Sequence, residues 1–205
     1  MDLLSLLIGK KLGGGGGNTK RFNVPSLPSE YQEVEYLSTN EGATGHPYVR
    51  VDYSLKVGDC IECGFKGLHT ILGPDNAWNF HINDNLTFSI YNNGGYTYGI
   101  GYQPYTDNAI GKFVLTFSAV GSQTYFNYGL WRSNDTYVYD GNLYPLYVYN
   151  QATFGVYEND NNSLIIALIP CYKKATNESG FYDVVNNVFL TAPSGRTFGR
   201  GADVN

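Results

Sequence analysis

The chain has 205 residues, room for one sizeable domain and a tail. Only 15% are charged and 16% are aromatic, with 19 Tyr, 11 Phe, 25 Gly and one Met, a profile of short strands joined by tight turns. A net charge of −5 with no basic stripe excludes nucleic-acid binding through clustered cations, and three cysteines exclude a disulfide-stapled mini-domain.

The N-terminus, Met1 to Ile8, is apolar, but Asp2 precedes the apolar run, Lys10 and Lys11 follow it, and no small-residue cleavage site closes it. It is therefore not read as a signal peptide, and it is too short to span a membrane, which needs about 20 residues. The expectation is a protein made in a cytoplasm and assembled from there, without membrane insertion. Leu3, Leu4, Leu6, Leu7 and Ile8 are the candidate partner-docking residues, because a free tail gains nothing from such a density of large aliphatics. Gly13 to Gly17 are five glycines in a row, the composition of a flexible tether. The expected organisation is a docking peptide over residues 1–12, a Gly-rich linker over 13–26 and one β domain over 27–205.

From Tyr48 onward, apolar and polar residues alternate with a period of two. Val49, Val51 and Tyr53 alternate with Arg50 and Asp52, Phe80 and Ile82 with His81 and Asn83, and Leu86, Phe88 and Ile90 with Thr87 and Ser89. Asn92 to Gly95 reads as a hairpin turn into Tyr96–Ile100. Further strands are predicted at Phe113–Phe117, Tyr125–Tyr128, Tyr137–Tyr139 and Tyr144–Tyr149, where Pro145 predicts an edge or a strand start. Leu164 to Ile169 is a continuous apolar run ended by Pro170, read as a strand buried on both faces. No amphipathic stretch of helix length intervenes, so the expected fold is an all-β, antiparallel β-sandwich.

Chemistry-bearing motifs are sparse. Cys60 and Cys63 match C-x-x-C, but residues three apart on a strand point to opposite faces and could not share a metal. Packing is the expected role for both and for Cys171, and no metal or cofactor is expected. His46, His69 and His81 are scattered, and no nucleophile elbow or phosphate loop is present. Carboxylate pairs for glycoside hydrolysis can be assembled only on paper, from Glu33, Glu35, Asp52 and Glu62, so no catalytic residues are assigned. Four N-x-S/T matches begin at Asn85, Asn134, Asn161 and Asn177, in a chain rich enough in Asn to produce them by chance. The feature that invites a ligand is the supply of rings in and near turns. Trp78, Tyr91, Tyr96, Tyr98 and Trp131 are the candidate ligand-binding residues, with Tyr102, Tyr105 and Tyr128 in the wider set. Such rings stack on the apolar faces of sugars, and the same rings equally serve to pack a sandwich.

Leu27-Pro-Ser-Glu-Tyr31-Gln-Glu-Val-Glu-Tyr36-Leu resembles the opening motif L-P-x-x-Y-x-x-V-E-Y-I/L of many phage and prophage proteins. Leu168-Ile-Pro-Cys-Tyr172-Lys-Lys is similar to their I-P-C-Y-R/K-K motif, Gly180-Phe-Tyr-Asp183-Val-Val-Asn-Asn-Val-Phe189 to their G-L-Y-D-x-V-N-x-x-F, and Gly195-Arg-Thr-Phe-Gly199 to their closing segment. The match spans about residues 27–200 and implies a concanavalin-A/laminin-G-like jelly roll. Two departures occur: Thr39 to Gly45 only partly follows the family's threonine-glycine stretch, and Leu164 to Leu168 replaces its basic-acidic step. The resemblance carries no catalytic set. It implies a non-enzymatic virion protein, a capsid-decoration or head-fibre component attached through its N-terminus to other phage proteins. The other reading is a tail-associated receptor-binding protein recognising host surface glycans. A homotrimer is a reasonable expectation for a fibre tip, although no heptad or collagen repeat supports it.

Overall fold

The structure, a computed structural model, describes residues 24–67, 71–73, 78–82, 88–92, 97–103, 111–129, 141–150 and 164–205. Among these residues there are fifteen strands and no helix. The chain opens with β1 (Tyr31–Glu33), β2 (Leu37–Ser38), β3 (Tyr48–Val51), β4 (Asp59–Gly67) and β5 (Ile71–Gly73). It continues with β6 (Trp78–Ile82), β7 (Phe88–Asn92), β8 (Thr97–Gln103), β9 (Gly111–Ala119) and β10 (Phe126–Gly129). The last five are β11 (Gly141–Asn150), β12 (Leu164–Lys173), β13 (Glu178–Asp183), β14 (Val188–Thr191) and β15 (Gly199–Arg200).

Every described strand pairing is antiparallel. The larger sheet has the order β14-β13-β12-β11-β4-β9-β8, with β1 beside β12 and β2 beside both β11 and β15. The smaller is β3-β10-β5-β6-β7. One core fills the space between them: Val49, Val51, Leu72, Phe126 and Tyr128 from the small sheet meet Ile61, Leu115, Phe117, Leu146, Val148, Leu168 and Phe181 from the large one. The fold is an all-β antiparallel sandwich, as the period-two pattern predicts.

β12 shows the physical logic of its sequence. Ile166 and Leu168 enter the inter-sheet core, while Ala167, Ile169 and Cys171 pack in a second cluster on the opposite face with Tyr182 and Val184. Both faces are covered, which is why this stretch is continuously apolar instead of alternating.

The two prolines behave differently from expectation. Pro145 lies inside β11, a strand with neighbours on both sides, and Pro170 lies inside β12, which runs on to Lys173. Neither marks an edge or an end; both sit where ladders change partner. On one side of β11 the partner is β2 at Asn142 and Leu143 but β12 from Leu146 onward, and the β4 register shifts over the same interval. β12 likewise pairs with β11 up to Leu168 and with β1 from Cys171. A residue without an N–H costs nothing at such a break. The prolines thus stand at a fork between β11 and β12, and the segment after β1 is threaded into it, with the Val34 N–H donating to the Pro170 carbonyl at 3.0 Å.

Two like hairpins follow. The Asn177 N–H closes on the Lys173 carbonyl and the Asn187 N–H on the Asp183 carbonyl, each at 2.8 Å. Asn177 and Asn187 take the left-handed conformation, with φ of 60° and 59°, which Asn tolerates better than most residues. Gly180 and Gly199 are required by close approach. A Cβ at Gly180 would run into the Leu190 carbonyl oxygen, and one at Gly199 into that of Glu41. These are backbone atoms of neighbouring segments, so a side chain there would force the segments apart.

Candidate functional site

The segments that carry the family-like motifs assemble next to one another. β1 pairs with β12, β12 with β13, β13 with β14, and β15 with β2. The Tyr31 ring lies 4.7 Å from that of Tyr182 and 4.9 Å from that of Phe189. The Arg200 guanidinium stacks 3.9 Å over Tyr172 and donates to the Asn177 side-chain oxygen at 2.7 Å. Asp183 is 5% exposed, and its carboxylate accepts from the backbone N–H groups of Ala167, Val185 and Asn186 and from the Asn186 amide. Among the described residues, the polar groups of these motifs bond to one another and to the strands beside them.

A second polar cluster was not legible in the sequence. Asp59 is fully buried; its Oδ2 accepts from the Tyr53 hydroxyl at 2.8 Å and the Lys56 N–H at 2.7 Å, and its Oδ1 from the Asn150 amide at 2.8 Å. Burial, followed by the bond to Asp59, pushes the Tyr53 phenol well above its ordinary value. Tyr53 and Lys56 lie just ahead of Asp59, but Asn150 comes from the end of β11, a meeting no local spacing could reveal.

Of the four carboxylates weighed for hydrolysis, Glu62 lies on β4 opposite Tyr147 and Glu33 on β1 opposite Cys171. Both act on Tyr147, whose phenol is pushed up first by burial, then by Glu62, then by Glu33. The Tyr149 hydroxyl donates to Glu62 at 3.4 Å. Asp52 instead pairs with Arg50 at 2.6 Å on exposed ground beyond β3, and Glu35 is exposed. The set is dispersed. No group of three or more His, Cys, Asp or Glu able to hold a metal occurs among the described residues.

The cysteines behave as strand geometry predicts. Cys63 enters the inter-sheet core, whereas Cys60 packs with Val114 and Tyr149 in a separate cluster. Burial pushes the Cys63 thiol up, and that of Cys171 up to about 12. A thiol reagent at pH 8 is therefore expected to label at most one of the three cysteines before unfolding and all three after it; rapid labelling of two native thiols would contradict this. An unfolded thiol ionises near about 8.5. The contribution of Cys171 to stability is thus complete below that pH and is lost as the pH climbs toward 12.

Tyr128, counted among the candidate turn rings, is instead a core residue with no exposed surface, its hydroxyl donating to the Tyr144 carbonyl at 3.0 Å. Trp78 and Tyr91 fall on adjacent strands of the small sheet, where Trp78 is opposite Asn92 and Tyr91 opposite Asn79. Tyr98 is on β8, at the end of the large-sheet order. Tyr96, Tyr105 and Trp131 lie outside the described residues, as do the expected strand at Tyr137–Tyr139, the expected turn at Asn93 to Gly95, and the candidate docking residues Leu3, Leu4, Leu6, Leu7 and Ile8. Comparison with protein-family models, with curated proteins and with solved structures finds no match for this chain.

Proposed function

We propose that the protein is a structural component of a bacteriophage particle surface, of the capsid-decoration or head-fibre kind, and not an enzyme. In this reading residues 1–12 dock into other virion proteins, residues 13–26 give slack, and residues 27–205 form a projecting concanavalin-A/laminin-G-like jelly roll. The observation that carries the reading is the meeting of the motif segments. Residues 31–38 and 164–200 are far apart in the chain but form one continuous set of strand pairings. Motifs that resemble a phage family in order and spacing are thereby joined as one unit, which chance matches have no reason to be. The five N-terminal aliphatics supply the attachment.

Replacing Leu4 and Leu7 with Asp should leave the domain folded, by circular dichroism, and abolish incorporation into particles, because charge in an apolar docking pocket is costly. Normal incorporation of that variant would remove the anchor. Antibody-labelled electron microscopy of purified particles places the protein. Label over the head supports decoration, and absence of label sinks the particle assignment. Label at the tail tip favours the second reading, a receptor-binding protein whose rings Trp78, Tyr91, Tyr96, Tyr98 and Trp131 meet host glycans.

A further inference from the structure

The segment Tyr31–Ser38 is held on both flanks. On one side, β1 pairs with β12 from Tyr31↔Lys173 to Glu33↔Cys171, the Lys174 N–H donates to Glu30, and the Lys174 ammonium donates to the Ser29 carbonyl at 2.8 Å. On the other side, the C-terminal segment runs antiparallel to it. The Val204 N–H donates to Glu33, the Glu35 N–H to Ala202, and the Gly201 N–H to Tyr36, at 2.9, 2.9 and 3.0 Å. Beyond these, Arg200 pairs with Leu37 and Gly199 with Ser38. The Tyr36 ring closes over Gly201, where a Cβ would come within 2.7 Å of it.

We infer that this three-strand arrangement is a directional mechanical clamp: it resists tension entering through the N-terminal tail along the strand axis, and it peels when the two chain ends are drawn apart. Ladder hydrogen bonds in antiparallel pairs lie perpendicular to the strands. Axial tension on residues 31–38 therefore loads the bonds on both flanks together. Tyr31 and Val204 lie at the same end of the clamp, as the Gln32 amide bond to the Val204 carbonyl at 3.0 Å shows. Tension between the termini strips the C-terminal segment one bond at a time, starting at Val204 and Glu33. The turn at Ser194 and Gly195 lies toward the opposite end, past the Thr44–Thr197 bridge. Tension between the N-terminus and that turn is the axial case. The inference concerns the domain's own geometry and stands apart from the particle assignment.

The test is single-molecule force spectroscopy on the full chain with two pairs of handles, Met1 with Asn205 and Met1 with Ser194→Cys. The native cysteines, 0–2% exposed, stay protected. The expected result is an unfolding force about twofold higher for the Ser194 handle, since simultaneous rupture faces a larger barrier than sequential rupture. Equal forces, or a higher force between the termini, would overturn the inference. Deleting Ala202–Asn205 removes the outer bonds of one flank, those to Glu33 and Glu35, and the Ser194-handle force should then fall. If that variant does not fold, the handle comparison on the intact chain still decides.

Discussion

Replacing Asp59 with Ala is expected to cost the fold about 3 kcal/mol, read as a lower urea midpoint at unchanged slope. The carboxylate has no solvent contact and is the acceptor for the Tyr53 hydroxyl, the Lys56 N–H and the Asn150 amide. Alanine leaves these donors without that acceptor around a small void. The penalty is the desolvation of groups that have lost their partner, larger than the net value of the bonds themselves. The cluster ties the loop before β4 to the end of β11, so the loss should also appear as faster hydrogen exchange at Lys56 and Asp59. A cost below about 1 kcal/mol would mean that water or a neighbouring group takes over the acceptor role.

Phe181→Ala should cost about 3–5 kcal/mol, the range for removing a fully buried aromatic ring. Phe181 has no exposed surface, and its ring lies 5.4 Å from Tyr128 and 6.2 Å from Phe198. It therefore links β13, the small sheet through β10, and the segment leading into β15. Equilibrium denaturation checks the number, with Val188→Ser as control. Val188 is 45% exposed on β14, so its replacement should change stability by no more than about 0.5 kcal/mol. Equal effects from the two variants would place the core elsewhere.

The sandwich was legible because alternation with a period of two is a direct imprint of a sheet with one buried face. Leu164 to Ile169 declared its double burial for the same reason, and the opposed thiols of Cys60 and Cys63 followed from strand parity alone. The prolines misled. A local rule assigns proline to edges and ends, whereas here Pro145 and Pro170 mark an interior fork that exists only because the N-terminal segment enters it. Tyr128, one of the near-turn rings weighed for sugar stacking, takes the packing role that the same residues equally allowed, its hydroxyl bonded to the Tyr144 carbonyl in the core. The Asp59 cluster depends on Asn150 reaching Asp59 from 91 positions away, and sequence spacing carries no trace of such a meeting. The motif segments were visible as likenesses, but their mutual pairing, which gives them a structural meaning, was not.

The lateral pairing of Glu33 through Tyr36 with Gly201 through Val204 brings the polypeptide's entry into the domain beside its exit. For a gene, two antiparallel segments whose ends lie side by side suit a unit that is moved as a cassette. A domain entered and left at one point can be spliced into a surface loop, exchanged for another, or lost, while the flanking chain keeps its path.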